Sequence, residues 1–280
     1  MNTLGIDKTH PFVSNLLKTH YYKTSAPSRS APFATLRYYR GVFGIIARSS
    51  WIARFRLFNN QDWFNRSYYM IQTLENIGAN LEITGIEHLA RQKGAVVVVC
   101  NHMSLLETFL LPSTLLPFTP MCVVIKKELT EYPAFGRVMS SVNHIAVTRN
   151  NPREDFRIVM EKGLAYLQAG ISVLIFPQST RNSVFVPAEF NTLGEKLAAK
   201  AGVPVLPVAV KTDLQGNGRL FKEFGAVNPA SPVRIAYGPS VDPRQDGRQA
   251  HDAVITFIGG QLRAWGLPVQ DATPAPSSPT

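Results

Sequence analysis

The sequence predicts an α/β fold, a mostly parallel β-sheet flanked by helices and preceded by an N-terminal amphipathic helical element. Three observations carry this. Seven apolar runs of strand length recur between residues 81 and 237, and helical segments separate several of them. Some runs are Val- and Ile-rich throughout, as in Val96 to Val99, which is the composition of a strand buried on both faces. Upstream, residues 34 to 58 place Arg and aromatic side chains at helical spacing.

Taken in order, residues 1–32 lack periodicity, are rich in Ser, Thr, Lys and Pro, and read as a flexible basic arm. Residues 33–79 form the helical region. On a helical wheel Arg37, Arg40 and Arg48 fall on one side and Val42, Phe43 and Ile46 opposite, while Trp51, Phe55 and Arg56 blur the division. A second helix follows over 62–79. Strands are expected over 81–86, 95–100, 121–125, 144–147, 172–176, 204–210 and 233–237, with helices over 105–116, 153–169, 190–201 and 244–265. The main α/β domain therefore spans 80–266, and the Pro-, Ser-, Ala- and Thr-rich residues 267–280 read as a disordered tail.

The formal net charge of +10 calls for an anionic partner. Before Asp62 the only acid is Asp7, against nine basic residues, and aromatic rings are interleaved among them. That combination fits an interfacial helix on an anionic membrane surface. No nucleic-acid-binding motif appears, so nucleic acid is not an expected partner. No apolar core of a secretory signal occupies the first thirty residues. The uncharged stretch 108–125 contains Pro112, Pro117 and Pro120, which argues against a spanning helix. Cys100 and Cys122 lie in apolar runs with no metal-ligand spacing, which favours free thiols in a reducing setting and predicts no metal.

In open α/β sheets reactive groups gather at the carboxyl ends of strands, and two such ends stand out. The run 95–100 leads into Asn101-His102-Met103-Ser104-Leu105-Leu106-Glu107. His102 and Glu107 would not share a face of one continuous helix. With His102 in the turn before the helix, the carboxylate can orient the imidazole as a general base. Ser104 and Glu107 also fit a capping box, a structural reading of the same acid. The second end, 172–176, leads into Pro177-Gln178-Ser179-Thr180-Arg181, a polar turn with a guanidinium that suits a phosphate or an oxyanion. Cys100 reads as an inert core thiol. His144, Glu161, Glu189 and Glu195 carry no predicted role.

In order along the chain, Asn101-His102 with an acid five residues on, the Phe-Pro-x-x-Thr-Arg turn and Val203-Pro204-Val205-Leu206-Pro207-Val208 resemble the glycerolipid acyltransferase family, which includes the 1-acylglycerol-3-phosphate acyltransferases. Lys126-Lys127-Glu128-Leu129, Tyr132-Pro133-Ala134-Phe135-Gly136 and Ile145-Ala146-Val147-Thr148-Arg149 resemble the blocks between. The resemblance implies His102 as base and Glu107 as its orienting acid. It also implies Lys126, Arg149 and Arg181 as holders of the acceptor phosphate, and Gln178, Ser179 and Thr180 as lining of the pocket. It further implies acyl transfer from acyl-CoA or acyl-carrier protein to the free hydroxyl of a lysophospholipid, 1-acyl-sn-glycerol-3-phosphate foremost, with no cofactor beyond the co-substrate. The expected location is peripheral, on the cytoplasmic face of the inner membrane. Three positions depart from the family pattern. Glu107 stands where Asp is usual, Gln178-Ser179 where Glu-Gly is usual, and Asn143 where Gly is frequent. The alternatives are a different lysolipid headgroup, a thioesterase or lysophospholipase on the same fold, a catalytically silent relative, and a non-enzymatic basic protein that binds nucleic acid or lipid.

Overall fold

A computed structural model describes residues 5–24, 30–55, 58–178, 180–216, 218 and 224–270. Its elements are α1 (Pro11–Thr19), β1 (Tyr22–Lys23), α2 (Ala34–Phe55), α3 (Asn60–Asn76), β2 (Leu81–Thr84), α4 (Ile86–Ala90), β3 (Val97–Cys100), α5 (Leu106–Leu115), β4 (Met121–Lys126), α6 (Phe135–Ser140), β5 (His144–Val147), α7 (Pro152–Gln168), β6 (Ser172–Ile175), α8 (Leu193–Ala201), β7 (Val205–Lys211), β8 (Val233–Tyr237) and α9 (Gly247–Ala264). Short 3-10 turns occupy Lys127–Thr130 and Pro187–Glu189.

One sheet runs in the order β1-β2-β8-β7-β3-β6-β4-β5. Its last five strands, β7 to β5, are mutually parallel. β8 runs antiparallel to β7, and β1 antiparallel to β2. The most apolar strands are central, as their composition requires: every residue of β3, β6 and β7 is buried. Their side chains alternate between two helical layers. Val96, Val98 and Cys100 pack with residues of α2, α3 and α5, whereas Val97 and Val99 pack with residues of α7, α8 and α9.

α5 is buried and apolar almost all round, which explains the uncharged stretch around it without a membrane span. Its internal Pro112 lacks an N–H and breaks the helical ladder. Ser67 of α3 repairs the break, its hydroxyl donating to the Phe109 and Leu110 carbonyls and accepting from Ser113 N at 2.8 Å. Among the described residues no helix is long and apolar enough to cross a membrane.

Three sequence expectations are corrected. The described part of the predicted arm, residues 5–24, is packed. Phe12, Val13 and Leu16 form an apolar stripe at helical spacing and are buried with Ile6, and β1 pairs with β2. The stripe is short and set among Lys and Thr, so composition hid it. Residues 1–4 and 25–29 lie outside the described residues. On α2, Phe43 is exposed on the arginine side, and the buried face is Tyr38, Val42, Ile45 and Ser49. Gly41 sets this rotation, because a β-carbon there would meet the Thr73 side chain of α3 at 2.5 Å. Arg56 lies outside the described residues. In the predicted tail, residues 267–270 are placed, with Phe185 pairing with Val269, and residues 271–280 lie outside the description.

Leu16 is fully buried, so L16A should lower the free energy of unfolding by about 2–5 kcal/mol, read from urea denaturation. An unchanged midpoint would return this segment to the status of an arm.

Candidate active site

The five parallel strands end on one edge, and each predicted site residue is attached to one of those ends. In sheet order these are His102 after β3, the 177–182 turn after β6, Lys126 closing β4 and Arg149 after β5. Adjacent strands lie about 4.8 Å apart, which sets β5 roughly 14 Å from β3 along that edge.

β3 and β7 are laced together just below His102. The buried Asn101 side chain donates to Val210 O at 2.9 Å and accepts from Val210 N at 2.8 Å, continuing the strand ladder through a side chain. The chain then turns, and α5 begins at Leu106. His102 stands outside the helix and Glu107 in its first turn. The Nδ1 of His102 lies 2.7 Å from Glu107 Oε1. The imidazole stacks on Phe176 at 4.5 Å between centroids, which fixes the ring plane.

Glu107 is 0% exposed, and its carboxylate receives five donors. Oε1 accepts from His102 Nδ1, from Met103 N at 2.6 Å and from Ser104 N at 2.9 Å. Oε2 accepts from the Ser104 hydroxyl at 2.9 Å and the Thr212 hydroxyl at 2.6 Å. Burial pushes this carboxyl up, but the His102 interaction, the Thr212 hydroxyl and the Ser104 N–H outweigh it and hold the group below its ordinary value. An ionised Glu107 is an acceptor only, so it takes the Nδ1–H of His102 and leaves the lone pair on Nε2. Of the capping box expected from Ser104 and Glu107 only one half forms. The Glu107 carboxylate accepts the backbone N–H of Ser104 with the oxygen that also orients the imidazole, but the helix takes Leu105 as its N-cap and Ser104 Oγ accepts from Leu106 N at 3.0 Å.

The second strand end meets the first. Gln178 is buried, and its Oε1 accepts the His102 N–H at 2.7 Å. Asn182 N donates to His102 O at 3.0 Å. The turn after β6 thus brackets the backbone of His102 from both sides. Gln178 supports the imidazole's backbone, a contact that spacing alone did not disclose. Thr180 is exposed and Arg181 half-buried beside it, whereas Ser179 lies outside the described residues. Arg149 sits at φ 63°, its N–H donating to Asp155 Oδ2 at 2.6 Å, so an α7 carboxylate holds the left-handed turn that presents it. Lys126 pairs with Glu128 at 2.7 Å on a solvated surface. Gly136 is demanded by contact: a β-carbon would meet the Thr130 carbonyl oxygen at 2.2 Å.

The thiols are free and buried, and burial drives the Cys100 thiol upward and the Cys122 thiol to about 12, which makes both poor nucleophiles at neutral pH. His144 donates to Val142 O at 3.0 Å, a structural role. Among the described residues no three metal-ligating side chains cluster. Sequence reading passed over Asn101, Phe176 and Thr212, and also a second pair, Glu195 of α8 and His251 of α9, 2.8 Å apart. The Glu195 carboxylate raises the His251 pKa.

A carboxyl whose folded pKa is depressed stabilises the protein above its unfolded value, and that contribution is lost as pH falls through the folded pKa. For Glu107 the loss begins below about 4.5, its ordinary value. Urea midpoints between about pH 6 and 3 should therefore fall more steeply for the parent than for E107Q. Parallel curves would mean that Glu107 is not held ionised.

A family profile described as Acyltransferase matches residues 80–211, which takes in β2 through β7 and every strand end just described. The 1-acyl-sn-glycerol-3-phosphate acyltransferase of Pseudomonas aeruginosa is 29% identical over 213 residues, 76% of either chain. That of Cocos nucifera is 29% identical over 141 residues, 50% of this chain and 44% of that one. The crystal structure of the 1-acyl-sn-glycerophosphate acyltransferase of Thermotoga maritima superposes with a TM-score of 0.57 at 22% identity, covering 86% of this chain and 97% of that one, a likeness of fold. Residues 80–211 thus match the Acyltransferase family, and over about three quarters of its length the chain is similar to a 1-acyl-sn-glycerol-3-phosphate acyltransferase.

Proposed function

We propose that this protein transfers a fatty acyl group from acyl-CoA or acyl-carrier protein to the free hydroxyl of 1-acyl-sn-glycerol-3-phosphate. The carrying observation is the His102–Glu107 pair at 2.7 Å, on a strand end tied to the Gln178–Asn182 turn. His102 Nε2 accepts the proton of the acceptor hydroxyl as its oxygen attacks the thioester carbonyl. The oxyanion that forms is stabilised by N–H donors and the guanidinium of the Thr180–Arg181 turn. Collapse breaks the carbon–sulfur bond, and the imidazolium returns the proton to the departing thiolate. Glu107 stays ionised throughout and stabilises the imidazolium. Arg181, Arg149 and Lys126 offer cationic side chains along the edge for the acceptor phosphate. No cofactor beyond the acyl thioester enters these steps.

The same reading includes peripheral attachment to the cytoplasmic face of the inner membrane. Its support is the outward face of α2, where Leu36, Phe43, Trp51 and Phe55 are each more than half exposed. Arg37, Arg40, Arg48 and Arg54 share that exposed face. Basic and aromatic groups on one side of a helix match the headgroup layer of an anionic bilayer.

With lysophosphatidate and one long-chain acyl-CoA, the product mass should be that of the diacyl lipid, and folded H102A should lose transfer by at least about a thousandfold. R181A should raise KM for phosphorylated acceptors. Free fatty acid as sole product would instead indicate hydrolysis, and full activity in H102A would remove this residue from the mechanism.

Co-sedimentation should be strong with vesicles containing phosphatidylglycerol and weak with pure phosphatidylcholine. W51S/F55S should weaken it by about tenfold or more. Equal pelleting with both vesicle types, or retention on DNA in place of vesicles, would overturn the attachment.

A further inference from the structure

Two residues bracket His102 in the chain, Asn101 before it and Glu107 after it, and both are fastened to the same three-residue stretch at the end of β7. Asn101 exchanges two hydrogen bonds with the Val210 backbone. Glu107 Oε2 accepts from Thr212 Oγ1 at 2.6 Å. The other four donors to the Glu107 carboxylate come from residues 102–104, the loop whose position is itself in question. Donors on one short loop can move with the carboxylate as a unit. Thr212, 105 residues away and 0% exposed, refers the carboxylate to the sheet instead. The Ser104 hydroxyl cannot replace it, because its proton already goes to Oε2 and its lone pair accepts from Leu106 N at 3.0 Å.

We propose that Thr212 is a positioning residue: its hydroxyl fixes the Glu107 carboxylate to the end of β7, and through it the orientation of His102. A carboxylate one methylene longer than aspartate reaches past the 102–104 loop to this strand end, so glutamate at position 107 and threonine at position 212 act as a matched pair. Without the hydroxyl, Oε2 loses one of two donors in a site closed to water, and the carboxylate turns toward the remaining ones. The imidazole then spends less time aimed at the acceptor hydroxyl. Substrate binding is untouched, since Thr212 has no exposed surface. This inference rests on the proposed roles of His102 and Glu107.

Four forms of the protein separate a hydroxyl effect from a packing effect: parent, T212S, T212V and T212A, each assayed for acyl transfer to lysophosphatidate and checked by circular dichroism. Loss of one hydrogen bond to a buried charge should lower kcat by about ten- to a hundredfold in T212V and T212A. KM for acceptor and donor should change little. T212S should keep the larger part of kcat. The inference is overturned if activity follows side-chain volume, with T212V near the parent and T212S near T212A, or if the loss appears in KM. Should T212V not fold, T212S against T212A separates hydroxyl from volume in the same way. An active H102A would sink the underlying mechanism, whereas an inactive H102A beside a fully active T212V would sink only the role given to Thr212.

Discussion

A carboxylate with no exposed surface stays ionised only when both of its oxygens are supplied with donors. Glu107 has five, and they come from two separate parts of the fold: the loop that follows β3 and the end of β7. That convergence exists because β3 and β7 are parallel neighbours, so their carboxyl ends arrive at one edge at the same height. Had the neighbour of β3 been antiparallel, its hydroxyl-bearing end would lie at the far side of the sheet. The ion at the centre of the site is thus a product of topology, and topology here follows from the predominantly apolar strands that two helical layers must cover.

The same edge explains why the other motif residues recur where they do. The turn after β6 holds the His102 backbone by its N–H and its carbonyl, through Gln178 and Asn182. Arg149 is carried on a left-handed residue whose neighbouring N–H groups are collected by Asp155. Strand ends and buried hydrogen bonds hold the groups nearest the imidazole, whereas the cationic residues further along the edge are exposed or half-exposed. On the proposed mechanism, the firmly held groups carry the chemistry and the more exposed cations meet the acceptor phosphate.

Much of this was legible in the sequence, and the exceptions have separate causes. The strands His144–Val147 and Val233–Tyr237 fall where the apolar runs place them, because a run bounded by polar turns has one way to lie in a buried sheet. The pairing of His102 with Glu107 follows from local chain geometry across five residues. The antiparallel course of β8 is different, since nothing in the pentapeptide Val233–Tyr237 states its direction. Thr212, Gln178 and the Glu195–His251 pair all act across long sequence separations, and an isolated Thr or Gln has no periodicity to betray it. The α1 helix escapes a sequence reading for the opposite reason: its signal is local but only three residues strong.

The direct measure of the central claim is the tautomeric state of His102 at neutral pH, read by ¹⁵N NMR of the imidazole in the folded protein. An ionised Glu107 bonded to Nδ1 predicts a proton on Nδ1 and an unprotonated, pyridine-type Nε2. A dominant Nε2–H tautomer, with Nδ1 bare, would mean that the carboxylate does not hold this ring as a base.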